Sequence, residues 1–169
     1  MIRIGQGVDV HAFDDSRPLI LGGIRISDKG GLSGHSDADA VLHAVTDALL
    51  GAAGAGDIGQ HFPSTDERWR NAESSRFLAE AKRIVIEMDG EIANVDITII
   101  AQKPKLAAHR DAIQAKVATL LDIPNGHVNV KATTTDHLGF IGRGEGICAM
   151  AIVAIVIPSE RSESRDPLR

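Results

Sequence analysis

Asp9 and His11 stand two residues apart in the run Ile2–Val10, where Ile2, Ile4, Val8 and Val10 recur at even spacing. That alternation predicts a β-strand, so the carboxylate and the imidazole leave the chain on one side, with Val10 expected to be buried behind them. His43 lies in a second segment, Ser36–Leu50, where Asp39, His43 and Asp47 follow one another at i, i+4 on an otherwise apolar helix. If the first half of that helix packs beside the strand, Asp9, His11 and His43 offer one oxygen and two nitrogen donors. A fourth tetrahedral position then stays open, as in catalytic zinc sites. Asp39 or Asp47 is expected to orient His43 from behind. Spacing alone leaves a second reading open, in which the histidines are surface or hydrogen-bonded core residues.

Gly34-His35-Ser36 falls at the expected helix start, where unpaired N–H groups and the macrodipole favour an anion such as phosphate; plain capping by Ser36 is the alternative. Gly56-Asp57-Ile58-Gly59 and Phe62-Pro63-Ser64-Thr65-Asp66 form a loop dense in Gly, Pro and hydroxyls, by itself a mere connection. Thr133-Thr134-Thr135-Asp136, at the end of a strand, offers hydroxyls and a carboxylate suited to phosphate oxygens and Mg²⁺, although Thr also simply favours strands.

The elements that position these residues follow from periodicity and turn signals. A short strand is expected over Leu19–Ile26, a helix over Ser36–Leu50 capped by Ser36 and ended by Gly51, and an amphipathic helix over Asn71–Met88. Then come a strand over Ile92–Gln102, a helix over Ala108–Leu121, and strands over His127–Thr135 and Gly146–Ile157, the last two separated by the Gly-rich loop Leu138–Gly146. Gly5 and Gly7 within the first strand point to a bulge or a close backbone approach. The order gives one α/β (α+β-like) domain, residues 1–157, with helices packed on one face of a mixed sheet. Pro158–Arg169, polar and without periodicity, is expected to be a disordered tail.

Of the 169 residues 43% are hydrophobic but only 3% aromatic, so Ala, Val, Ile and Leu must fill the core. Eighteen basic against 23 acidic residues give a net charge of −5, with no Lys/Arg cluster of the kind that binds nucleic acid. Cys148 is the only cysteine, which excludes an intrachain disulfide; its apolar setting points to a buried thiol in a reducing, cytoplasmic compartment. No charged leader and no apolar run approaching ~18 residues is present, so neither export nor a membrane span is expected.

Taken together, Gly7-Val8-Asp9-Val10-His11-Ala12-Phe13, Gly34-His35-Ser36-Asp37-Ala38-Asp39, Gly56-Asp57-Ile58-Gly59 and Phe62-Pro63-Ser64-Thr65-Asp66 resemble the 2-C-methyl-D-erythritol 2,4-cyclodiphosphate synthase family. Ala101-Gln102, Pro104-Lys105, Lys131-Ala132-Thr133-Thr134-Thr135, Leu138-Gly139-Phe140 and Gly142-Arg143-Gly144-Glu145-Gly146 extend the resemblance from Ile2 to about Ile157. It implies a homotrimer, with sheets gathered around the threefold axis and active sites between subunits. It implies a CMP-releasing phosphorus-oxygen lyase of the non-mevalonate isoprenoid pathway, acting on 4-diphosphocytidyl-2-C-methyl-D-erythritol 2-phosphate. By that resemblance Asp9, His11 and His43 hold zinc or another divalent cation, Asp9, Val10 and His11 also touch the substrate, and Asp136 lies near a Mg²⁺ or Mn²⁺ that bridges the substrate diphosphate.

The same resemblance places the methylerythritol phosphate against His35, Ser36, Asp57, Ile58 and Gly59, with Phe62, Pro63, Ser64, Thr65 and Asp66 closing beside it. The cytidine diphosphate falls against Ala101, Gln102, Lys103, Pro104, Lys105, Leu106 and Ala107 and against Thr133, Thr134 and Thr135 of the adjacent subunit. His35 and Thr134 are implied as the catalytic pair, and Phe140 and Arg143 lie near the substrate and the trimer cavity. An ion pair of Arg143 with Glu145 is an equal reading. Asp136 stands where many members carry Glu, and Gln6 and Val8 depart from the aromatic or His residues often found there. Two rivals share the metal: a zinc phosphoesterase that activates water, and a binding module that zinc merely braces.

Overall fold

In the computed structural model, which describes residues 1–158, the alternating N-terminal run becomes a long strand, β1 (Ile2–Asp14). It continues past Val10 because Ala12 still pairs with Gly146 and Phe13 with Leu32. The segment expected as one short strand is a hairpin, β2 (Leu19–Leu21) and β3 (Ile24–Ser27). Gly22 and Gly23 turn it with φ of 62° and 75°, a region open to a residue without Cβ. A two-residue strand, β4 (Gly31–Leu32), precedes the first helix, α1 (Ala40–Ala53).

Helix α1 starts four residues after Ser36, and its cap is Asp39, whose carboxylate accepts the N–H groups of Val41 and Leu42. It runs through Gly51 and stops at Gly54, in the left-handed region at φ 71°. The remaining elements are α2 (Ile58–His61), α3 (Ser75–Glu87), β5 (Glu91–Ile100), α4 (Arg110–Leu121), β6 (Val128–Thr133), the short α5 (Gly139–Gly142) inside the Gly-rich loop, and β7 (Gly146–Val156). Helix α3 begins later than its apolar periodicity indicates, because Asn71 has φ 55° and Ala72 closes a turn on Trp69.

The main sheet has the order β4-β1-β7-β5-β6, antiparallel except for the parallel pair β5/β6, so the sheet is mixed as expected. Val41, Val45 and Leu49 of α1 are buried with Ile97 and Ile99 of β5 and Ile147 and Val153 of β7, an aliphatic core with few aromatics. Gly5 and Gly7 give a close approach: a Cβ at either would stand 1.9 and 2.0 Å from the carbonyl oxygens of Ala48 and Ala44. With no side chain at those two points, α1 lies directly on β1, and this brings His43 to Asp9 and His11.

Odd-numbered residues of β1 face α1, and even-numbered ones face away. Val10 is therefore not buried behind the ligands but 46% exposed on the opposite face, in line with Ile2, Ile4, Val8 and Ile152, which are 70%, 69%, 50% and 48% exposed. Cys148 pairs with Val10 across the β1/β7 ladder and is half-buried rather than buried; desolvation still pushes its thiol up from the ordinary value. The tail expectation falls on residues 159–169, outside the described residues, apart from an exposed Pro158.

Candidate functional site

Strand geometry and the glycine contact bring three donors to one point. Asp9 Oδ2 lies 2.8 Å from His11 Nε2 and 3.0 Å from His43 Nδ1, and the two ring nitrogens are 3.3 Å apart. Among the described residues this trio is the group of His, Cys, Asp and Glu that could hold a metal ion, with donor atoms within 4.8 Å of one another. All three are half-buried. Burial alone would raise the Asp9 carboxyl, but hydrogen bonds from His11 and His43, and their charge, hold it well below the usual carboxylate range. Burial works against the charged form of His11, yet the Asp9 carboxylate wins and raises its imidazole above the ordinary value. A cation would replace those protons as the countercharge. The donor chemistry fits zinc or a similar divalent ion: one carboxylate oxygen and two imidazoles, each with its other ring nitrogen engaged. His11 Nδ1 faces the Ser33 carbonyl at 2.6 Å.

The partner of the far nitrogen of His43 differs from the one expected. His43 Nε2 lies 2.8 Å from Ser74 Oγ and 3.1 Å from Ser36 Oγ. Asp47 instead accepts the Ile58 N–H at 2.7 Å. Asp39 is fully buried and accepts from Gly22 at 2.8 Å, Gly23 at 2.6 Å, and Val41 and Leu42 at 3.1 Å. Desolvation pushes its carboxyl up to about 6 against those N–H groups. Asp39 thus ties the hairpin to the helix start and does not orient the histidine. Asp39→Ala is expected to cost about 3 kcal/mol of stability, about 1 from the cap and the rest from N–H groups left buried. Thermal denaturation should show that loss, while the folded fraction keeps its metal uptake.

The expected anion site at a helix start is also revised. Gly34-His35-Ser36 precedes α1 by a loop, and the first free N–H groups of the helix go to Asp39. The loop is braced by Arg17, which donates to the carbonyls of Gly34 and Ser36, and Ser36 Oγ accepts the Ala38 N–H at 3.1 Å. His35 and Ser36 therefore offer side chains rather than a helix dipole.

A cavity of about 230 Å³ opens beside the donors. His35, Ser36, Ile58, Gly59, Phe62 and Ser64 line it together with Asp9, His11 and His43. Trp69 and Phe77 complete its wall, which sequence reasoning missed as a site. The Phe62 and Phe77 ring centroids are 4.6 Å apart, and Trp69 meets Phe62 edge-on at 5.1 Å. In a chain so poor in aromatics, three of them gathered at one cavity was the available signal. Asp57 stands outside it as the cap of α2, accepting from Gln60 at 2.9 Å. Asp66 caps the turn Glu67–Trp69, its carbonyl 3.3 Å from His35 Nε2, while Pro63 and Thr65 are exposed beside it.

A second cavity, also about 230 Å³, lies between the loop after β5 and the end of β6. Ala101, Gln102, Pro104, Lys105, Leu106 and Ala107 line one side, Thr133 and Thr134 the other. It shares no lining residue with the first. Lys103 turns away, its ammonium 5.5 Å from the Phe13 ring centroid, toward a different hollow. Thr135 Oγ1 donates to the Leu138 carbonyl at 2.7 Å, and Thr134 Oγ1 donates to the exposed Asp136 carboxylate at 3.1 Å. Phe140 is 45% exposed. Arg143 pairs with Glu145 at 2.6 Å, the alternative that the sequence left open.

A family model described as the YgbB family matches residues 2–156. The chain is 56% identical to a Geobacillus protein named 2-C-methyl-D-erythritol 2,4-cyclodiphosphate synthase, covering 92% of this chain and 98% of that one. Among solved structures, the bifunctional IspDF of Campylobacter jejuni superposes with a TM-score of 0.89 at 46% identity, over 92% of this chain and 42% of its own. A CDP complex of IspF from Plasmodium falciparum gives 0.82 at 35% identity, over 94% of this chain and 97% of its own. No helix among the described residues is long and apolar enough to cross a membrane.

Proposed function

The chain belongs to the YgbB family, and on that premise we propose that it converts 4-diphosphocytidyl-2-C-methyl-D-erythritol 2-phosphate into 2-C-methyl-D-erythritol 2,4-cyclodiphosphate with release of CMP. The observation that carries this reading is the convergence of Asp9, His11 and His43 on one point beside a cavity with a hydroxyl- and imidazole-bearing rim. A divalent cation there, zinc in the first instance, would supply positive charge to a phosphate oxygen.

The rest of the work belongs to side chains. His35 and Ser36 hydrogen-bond the 2-phosphate, whose oxygen forms the new bond to the β-phosphorus as the bond to CMP breaks in line. The nucleophile arrives ionised, so no Ser/His/Asp or Cys/His set is needed. Ile58, Gly59 and the aromatic wall hold the methylerythritol carbon chain, with Asp57 and the loop Phe62–Asp66 at its hydroxyls. The second cavity takes the cytidine, with Thr133 and Thr134 at its phosphates; Asp136 would hold a Mg²⁺ or Mn²⁺ ion, which would supply positive charge to the diphosphate. Thr134 donates to the oxygens on which charge develops. In class terms this is a phosphorus-oxygen lyase, in one domain spanning 1–157.

Two halves of one substrate site that share no residue within a chain call for a second chain, and the open apolar face of β1 and β7 offers the surface to bring it. We assign that arrangement to a homotrimer with Ile2, Ile4, Val8, Val10 and Ile152 toward its axis. The cytoplasmic assignment rests on the single thiol. Incubation with the cyclisation substrate and phosphorus NMR tests the function. A cyclic diphosphate plus CMP is the expected product; inorganic phosphate in its place would make the chain a zinc phosphoesterase and the reading wrong.

A further inference from the structure

We propose that Asp47 is a positioning residue whose carboxylate sets the distance between the metal donors and the Ile58–Gly59 wall of the cavity that takes the substrate's carbon chain. The role rests on the proposed function. From Ala40 to Leu50 every residue of α1 is buried except His43 and Asp47, which stand four apart and so share one face. His43 contributes its ring to the metal trio and to the cavity. Asp47 contributes to neither. Its Oδ1 instead accepts the Ile58 N–H at 2.7 Å, from a residue 11 positions further along the chain.

That bond matters because little else places α2. The helix Ile58–His61 has four residues and buries none of them fully, so neither its length nor its packing holds it in place. Its cap Asp57 bonds Gln60, and His61 Nε2 lies 2.8 Å from the Ala55 carbonyl, both within the same stretch of chain. The connection leading in carries two glycines in the left-handed region, Gly54 at φ 71° and Gly56 at φ 84°, with no side chain to brace it. Among the described residues, the bond from Ile58 to Asp47 is the one hydrogen bond that joins α2 to another helix or strand.

Helix α1 therefore works as a ruler. One turn of it, about 6 Å of rise over four residues, separates the ring that holds the metal from the carboxylate that holds Ile58. Ile58 and Gly59 line the same cavity as Asp9, His11 and His43. The span between the phosphate end and the carbon-chain end is thus fixed by a rigid element rather than by the glycine-rich connection. Reach, not charge, is what this task requires: the Ile58 N–H is a neutral donor, and an amide oxygen at the same distance accepts it as a carboxylate does.

The test compares the full chain with Asp47→Ala and Asp47→Asn, measuring kcat/KM on the cyclisation substrate, zinc content, CMP affinity, and amide hydrogen exchange at Ile58. In Asp47→Ala, kcat/KM should fall about 10- to 100-fold, the weight of a substrate displaced by about 1 Å. Ile58 should exchange at least about tenfold faster. Zinc content and the CMP dissociation constant should stay at the wild-type level, because Asp47 belongs to neither the metal trio nor the second cavity. Asp47→Asn should restore kcat/KM to within about threefold of wild type. Should Asp47→Ala fail to fold, Asp47→Glu takes its place: it keeps the charge but is one methylene too long, and the same loss is expected. Turnover within about twofold of wild type in the Ala or Glu variant, even with lower thermal stability, marks a purely structural bond and overturns the role. So does an Asp47→Asn as impaired as Asp47→Ala, because charge would then be decisive. A wild type without turnover sinks the proposed function instead, and unchanged Ile58 exchange in Asp47→Ala would still overturn the anchoring of α2.

Discussion

His43→Ala is expected to lower turnover at least a thousandfold and to take zinc from about one ion per subunit to nearly none. One imidazole is half of the nitrogen donor set, and the remaining Asp9 and His11 cannot enclose a cation. Losing several kcal/mol of charge stabilisation at a phosphate oxygen corresponds to about three powers of ten or more in rate. The fold should survive, because the ring is only half-buried and its neighbours Phe62, Trp69 and Phe77 still pack on one another. Metal analysis, steady-state turnover and thermal denaturation on one preparation separate these effects. Full turnover with full metal content in the variant would remove His43 from the ligand set, and full turnover with the metal lost would remove the cation from the mechanism.

The contrast between Asp9 and Asp39 shows what the sequence could and could not say about this site. Period-two spacing places Asp9 and His11 on one side of β1, and helical spacing places His43 on α1; both are local geometry and both hold. The same helical spacing pointed to Asp39 and Asp47 as supports for His43, but it says only which helix face they share. What lies opposite is decided by the hairpin turn Gly22-Gly23 and by the N–H of Ile58, which claim the two carboxylates. Ser74, the actual neighbour, is 31 residues from His43 and carries a signal indistinguishable from an ordinary helix cap. Helix starts shifted for a related reason: Ser36 and Asp39 are both competent caps, and burial of Asp39 against the hairpin selects the later one. The mixed sheet, by contrast, was readable because its strands are β-branched and its helices amphipathic.

Ile4→Glu is expected to turn an assembled protein into monomers and to abolish turnover with it, while each chain keeps its zinc. In a single chain the substitution is nearly free, since Ile4 is 69% exposed on the face opposite α1. Around a threefold axis it would bring three carboxylates together in an apolar setting, where like charges cost several kcal/mol and each 1.4 kcal/mol is about tenfold in association. At micromolar concentration the chain should then elute as a monomer. The metal trio lies within one chain, so zinc content is expected to stay near wild type. In the proposed trimer the metal-side cavity and the Thr133-Thr134 cavity complete one site between subunits, and separated chains would lose that pairing. Loss of activity with zinc retained is thus the mirror of His43→Ala, which loses zinc and activity but not assembly. A fully active monomer would mean that one chain closes the whole site by itself, and the apolar face of β1 and β7 would then need another explanation.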